Sequence, residues 1–131
     1  DPGTKRVGVA VTDELRVVTR PLPGIQRTSW KKLLKKIESL LAELDAVAVV
    51  VGLPHNFDGS DTHMTAEAIE IARKLQLSLD VGVFLQDERA TSYEAKGRIW
   101  RQGVNLDESR LLVDSEAAAI ILSDFLDRIR K

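Results

Sequence analysis

Eight consecutive residues, 46–53 (AVAVVVGL), carry no polar side chain, and half of them are valine. A strand with one wet face would alternate apolar and polar residues. An unbroken β-branched run of this length predicts a strand with apolar neighbours on both faces. Such a strand sits inside a sheet covered on both sides by helices, and the flanking sequence supplies candidates. Ser29 caps a stretch in which Trp30, Leu33, Leu34, Ile37, Leu40, Leu41 and Leu44 recur at helical spacing. Lys31, Lys32, Lys35 and Lys36 fall on its opposite face, which reads as a solvated helix face rather than a nucleic-acid patch. A second helix is expected over 62–76, burying Met64, Ala68, Ile71, Ala72 and Leu75.

The remaining segments extend this alternation. Residues 6–13 are mostly apolar and β-branched and predict a strand, and 16–20 predict the next. Leu22-Pro23-Gly24 breaks the pattern beyond Arg20, so the segment up to Arg27 is expected to be an edge strand or a loop. Residues 54–61 form a loop and 80–86 another short apolar strand. Thr91-Ser92-Tyr93-Glu94 has the pattern of a capping box and opens a third helix that Gly103 ends. After a polar turn, 114–130 predict a fourth helix with an apolar stripe through Ala117, Ala118, Ile121, Leu122, Phe125, Leu126 and Ile129. An early hairpin followed by alternating helices and strands predicts a three-layer α/β fold, with the later strands parallel. The 131 residues fit a single domain spanning 1–131.

Composition narrows the chemistry. Without cysteine there is no thiolate zinc site, disulfide or Cys nucleophile. No stretch is apolar for long enough to span a membrane, so no membrane partner is expected, and a cytoplasmic location is. The net charge of −1 supplies no global field toward nucleic acid, so any such binding must use local basic patches.

The acidic residues at element ends carry the strongest chemical signal. Asp1 precedes the turn Pro2-Gly3-Thr4-Lys5-Arg6, Asp87 and Glu88 follow directly on a predicted strand, and Asp114 opens the last predicted helix. Sites in open parallel sheets collect at the carboxyl ends of strands. Converging carboxylates there would be hard oxygen ligands for Mg²⁺ or Mn²⁺. Each also has a plainer reading. Asp114 before Ser-Glu-Ala is a good N-cap, Asp87-Glu88 could merely lead into the next helix, and Asp1-Pro2-Gly3 could be an ordinary turn. His55 and His63 match no metal-binding spacing and read as surface residues.

Taken together, these segments resemble the YqgF/RuvX family, whose members are also called pre-16S rRNA nucleases or Holliday-junction resolvase-like proteins. The resemblance is carried by Asp1-Pro2-Gly3-Thr4-Lys5-Arg6-Val7-Gly8-Val9-Ala10 and by Val51-Gly52-Leu53-Pro54 with Asp58-Gly59. Asp87-Glu88-Arg89-Ala90-Thr91-Ser92 and Val113-Asp114-Ser115 with Ala117-Ala118 complete it. It implies an RNase H-like fold with a five-stranded mixed sheet and helices on both faces. It also implies acidic active-site residues at Asp1, Glu88 and Asp114 acting with two Mg²⁺ or Mn²⁺ ions. The resemblance favours Glu88 over Asp87 as the ligand, and since adjacent residues leaving a strand point to opposite faces, both are not expected to reach one ion. Lys5, Arg6 and Arg89 are the expected phosphate contacts, and Arg98, Arg101, Arg128, Arg130 and Lys131 could extend the track. Gly3 would let backbone and substrate approach closely.

The sequence departs from the family's pattern in two places. Ser109 and Arg110 stand where many relatives carry lysines. The family's first, central strand ends at the aspartate matched by Asp1, and that strand does not precede Asp1 in this sequence; were it absent from the protein, a free amino group would stand beside the site. The implied function is cleavage of structured nucleic acid, foremost in 5′-end maturation of precursor 16S rRNA. A Holliday-junction resolvase, which would act on branched DNA as a homodimer, is the first alternative. Asp1-x-Gly-Thr also resembles the phosphate loop of actin-like ATPases, an architecture that needs two such domains. A non-catalytic nucleic-acid-binding module is the last alternative.

Overall fold

A computed structural model describes residues 1–56, 58–88 and 106–130, with the side chains of 106–114 outside that description. The described elements are β1 (Arg6–Thr12), β2 (Thr19–Gln26), α1 (Trp30–Leu44), β3 (Ala48–Leu53), α2 (His63–Ser78), β4 (Gly82–Asp87) and α3 (Leu106–Ile129). The helix expected after Thr91 lies outside the described residues, as do Phe57, Arg89, Arg98, Arg101 and Lys131.

Local signals explain where the first two helices begin. Ser29 Oγ accepts from the Lys32 amide at 3.2 Å and starts α1. Lys31, Lys32, Lys35 and Lys36 are all exposed, as the amphipathic pattern requires. Thr62 and Thr65 form a reciprocal capping box that starts α2, which buries Met64, Thr65, Ala68, Ile71, Ala72 and Leu75.

Two boundaries differ from the expectation, and the segment up to Arg27 proves to be an edge strand among the described strands, one of the two forms expected for it. Arg16 is not in a strand: with φ of 58° it closes a turn in which Asp13 Oδ1 accepts from the Val17 amide at 3.0 Å. The strand comes later and runs through Pro21 and Pro23. Proline cannot donate to a ladder, and β2 accommodates both residues because among the described strands it pairs on one edge only, with β1. The last helix begins at Leu106, so Asp114 lies well inside α3 and does not cap it.

The strands form two pairs. β1 and β2 are antiparallel with an irregularity between Val7 and Val9, while β3 and β4 are parallel from Ala48–Gly82 to Leu53–Asp87. Val51 packs with Ile71, Ala72 and Leu75 of α2, flanked by Trp30, Leu34 and Ile37 of α1. The next residue, Gly52, faces Ile121 of α3. Successive strand residues point to opposite faces, so α1 and α2 cover one face of β3 and α3 the other.

Between β1 and β3 lies a cleft of about 960 Å³, lined by Val7, Val9 and Val11, by Leu33 and Leu40 of α1, and by Ile121 of α3. It explains why β3 is less buried than its sequence predicts. Val51 and Gly52 are buried, but Val49, Val50 and Leu53 are only half-buried and Ala48 is exposed. Among the described strands, β3 pairs on the β4 edge alone.

Candidate active site

The site begins where the parallel pair ends. Asp87 is the last residue of β4, opposite Leu53, and the Glu88 amide extends the ladder by donating to Leu53 O at 3.2 Å. The two acidic side chains then part. Asp87 Oδ1 accepts from His55 Nδ1 at 2.9 Å. Glu88 turns to the other face and lies over Gly52, where a Cβ would come within 3.2 Å of Glu88 Oε2 and 2.8 Å of Ile121 Cδ1. The glycine of Val51-Gly52-Leu53 leaves the space that this carboxyl occupies.

Glu88 Oε2 is buried and accepts no hydrogen bond, and Gln86 Oε1 is in the same state. Gln86 is the register partner of Gly52, so it shares a sheet face with Glu88. Burial pushes the Glu88 carboxyl up to about 7; the ammonium of Asp1 opposes this, Asp87 adds to it and His55 opposes it. A buried carboxylate oxygen without a donor is costly, and a cation would relieve that cost.

The backbone of Asp1 is held by the hairpin that follows it. Its amino group donates to Gly8 O at 2.9 Å, and its carbonyl accepts from the Gly8 amide at 2.9 Å. Pro2 and Val7 continue this antiparallel pairing. The turn between them is tight: Gly3 N donates to Arg6 O at 3.0 Å, and a Cβ on Gly3 would lie 2.6 Å from that oxygen. Arg27 holds the turn from outside, donating through Nη1 to Gly3 O at 2.8 Å while Nη2 pairs with Glu67 of α2. No local pattern marks Arg27 in the sequence, because its partners lie far away along the chain. Lys5 is exposed at the turn and Arg6 is half-buried.

Asp114 belongs to α3 just before Ser115. Ser115 is fully buried, and its Oγ accepts from the Val9 amide at 3.4 Å, next to the Gly8 that pairs with Asp1. The backbone of Asp114 therefore passes close to β1, about two helical turns before the Ile121 that touches the Gly52 position. The Asp114 side chain and the whole of Arg89 lie outside the described residues. Among the described residues, no three acidic or histidine side chains gather closely enough to hold a metal ion.

His55 is not the surface residue its spacing suggested. Its side chain is 16% exposed, with Nε2 3.4 Å from Asp61 Oδ1 and Nδ1 on Asp87. A short-range signal existed in Pro54-His55, which directly follows the central apolar run, but the partner Asp87 is invisible in one dimension. His63, by contrast, is exposed at the start of α2.

Comparison with known proteins identifies the family. A family model described as RuvX, Holliday junction resolvase, matches residues 1–128. The chain is 36% identical over 128 residues to a protein of Klebsiella pneumoniae subsp. pneumoniae named "Putative pre-16S rRNA nuclease", covering 98% of this chain and 93% of that one. Proteins of the same name from Anaeromyxobacter sp. (strain K) and Thiobacillus denitrificans are each 38% identical. The first match covers 98% of this chain and 93% of the relative, the second 97% and 88%. With nearly its whole length matched by the family model and by these relatives, the chain belongs to the RuvX family.

Proposed function

We infer that this chain is a nuclease that hydrolyses phosphodiester bonds in structured nucleic acid, and that its substrate is the precursor of 16S rRNA. The observation that carries the reading is Glu88. It is a buried carboxyl with an unpartnered oxygen at the carboxyl end of a parallel strand, in a chain of this family. The relatives' name supplies the substrate. The match across residues 1–128 favours this reading over a phosphate-loop ATPase, and the unpartnered carboxyl favours it over a silent binding module. A cytoplasmic location follows from that substrate.

The architecture we propose is the RNase H-like three-layer fold with a five-stranded mixed sheet. A further strand would occupy the cleft between β1 and β3. Two features support it. Gly8 bonds to Asp1 on the edge of β1 facing away from β2, while Val7 and Val9 pair with β2. A strand continuing the Asp1 ladder would run along that edge, and β3 offers its own unpaired edge across the cleft.

Glu88 fits a divalent cation: its donor is a hard oxygen, desolvated and without a competing hydrogen bond. Asp1, Glu88 and Asp114 are the proposed ligands of a pair of Mg²⁺ or Mn²⁺ ions. When bound, such ions lower the pKa of an attacking water and stabilise the leaving oxygen. The protein's own part is to hold and shield. Gly52 and Ile121 fix the Glu88 carboxyl, and burial withholds water from it. The Gly3 turn presents Lys5 and Arg6 beside Asp1, where with Arg89 they would contact phosphate oxygens and hold the strand in register.

A second reading keeps the site and changes the substrate, since the family description names Holliday junctions. That reaction needs two symmetry-related cuts and so a homodimer. One experiment tests both: cleavage of a 16S precursor RNA and of a four-way DNA junction, with Mg²⁺, Mn²⁺ or a chelator, beside an Asp1→Asn control. Cleavage of RNA alone supports the first reading, cleavage of the junction the second. Cleavage of neither substrate, or unchanged cleavage in chelator, overturns the metal-dependent nuclease.

A further inference from the structure

We propose that His55 is a positioning residue: its imidazole latches the loop after β3 to the end of β4 and so holds Glu88 in place. The inference rests on the nuclease reading for its catalytic consequence, but its structural core stands without it. His55 joins three segments. Pro54, just before it, is anchored through its carbonyl by the Thr65 hydroxyl at the start of α2. The backbone of His55 bridges Asp61 across the loop. Its ring lies between Asp87 and Asp61, at 2.9 Å through Nδ1 and 3.4 Å through Nε2.

The consequence follows from strand geometry. Asp87 and Glu88 are consecutive, so they face opposite sides, and tethering Asp87 restrains the backbone from which Glu88 leaves. Glu88 itself has no side-chain hydrogen bond to hold Oε2. Its position depends on the Gly52 and Ile121 surface beneath it and on the backbone to which Asp87 is tied. The His55–Asp87 bond therefore adds a side-chain restraint to the backbone bond that the Glu88 amide makes with Leu53 O. On its outer side the same ring meets Asp61, which is 80% exposed. That loop has its own clip, with Asn56 N donating to Ser60 O at 2.9 Å and Asp58 Oδ1 accepting from Ser60 N at 2.9 Å.

The test compares His55→Ala, His55→Asn and His55→Gln with the parent chain. An asparagine amide nitrogen superposes on Nδ1 and can keep the Asp87 bond, whereas that of glutamine matches Nε2. Loss of the latch on the order of 10- to 100-fold in single-turnover cleavage is expected for His55→Ala, with affinity for uncleaved substrate unchanged. His55→Asn should restore most of that rate and His55→Gln should not. Hydrogen exchange reads the same bond without catalysis: the Glu88 amide should lose protection in His55→Ala and keep it in His55→Asn. Equal rates in parent and His55→Ala, or an Asn variant as impaired as Ala, overturn the proposal. If the parent chain cleaves no substrate, the nuclease reading fails, and exchange at Glu88 alone decides whether the latch exists.

Discussion

The carboxyl of Glu88 rests on the bare backbone of Gly52, so close that a single methyl there would meet Glu88 Oε2 at 3.2 Å and Ile121 Cδ1 at 2.8 Å. A strand end and a helix thus share one contact, and the absence of a side chain is what makes room for a charged group. Gly52→Ala must push either Ile121 or Glu88 aside. A loss of about 1–3 kcal/mol in stability is expected, with cleavage falling further than stability alone accounts for. Urea unfolding beside cleavage at saturating metal checks this. A variant with parental stability and parental activity would show that the contact relaxes freely.

The raised Glu88 carboxyl makes a pH prediction. Its folded value of about 7 lies above the ordinary 4.5, so between these values the folded state holds a proton that the unfolded state has lost. Stability without metal should therefore fall as pH rises from 4.5 to 7, by on the order of 3 kcal/mol from this group. Glu88→Gln removes that component, so the variant's stability relative to the parent should climb across the same window and level off above it. Mg²⁺ at pH 8 should raise the parent's Tm and leave that of Glu88→Gln nearly unmoved. A flat difference between the two proteins across the window would contradict a buried, unpartnered carboxyl.

Affinity and chemistry should separate by residue. Asp1→Asn, Glu88→Gln and Asp114→Asn are expected to nearly abolish cleavage while leaving substrate binding intact or tighter, because each removes negative charge facing phosphates. Lys5→Ala, Arg6→Ala and Arg89→Ala should do the reverse, weakening binding with a shallower salt dependence. Binding isotherms at several salt concentrations, paired with single-turnover rates, distinguish the sets. Parental cleavage in any acid-to-amide variant removes that residue from the site.

The turn after Asp1 should be intolerant of side chains at its first glycine. A Cβ on Gly3 would lie 2.6 Å from Arg6 O, a backbone atom that cannot move without opening the turn. Gly3→Ala is expected to weaken substrate binding, by displacing Lys5 and Arg6, and to lower stability by about 1–3 kcal/mol. Arg27→Ala should show a milder form of the same defect, since it frees the Gly3 carbonyl and Glu67 without touching the turn's own bond. Unaltered binding in Gly3→Ala would show that the turn does not present the basic residues.

Local chemistry was legible in the sequence wherever the governing partner is a near neighbour. Ser29 caps α1 because its hydroxyl needs only the amide three residues on, and the stripe of α2 follows from helical spacing. That Asp87 and Glu88 would part followed from strand alternation, and the structure places the two on opposite sides with Asp87 on His55; the choice of Glu88 came from the family resemblance. Tertiary structure decided the rest, because the deciding partners are distant along the chain. His55 matters through Asp87, Gly52 through Glu88 and Ile121, and Arg27 through Gly3 and Glu67. The prolines of β2 were tolerable only once that strand lay at an edge, and the start of α3 before Asp114 overrode a good capping sequence. The valine run determined that β3 is a strand; how far it is buried depended on what stands beside it, and pairing across a sheet is a property of three dimensions.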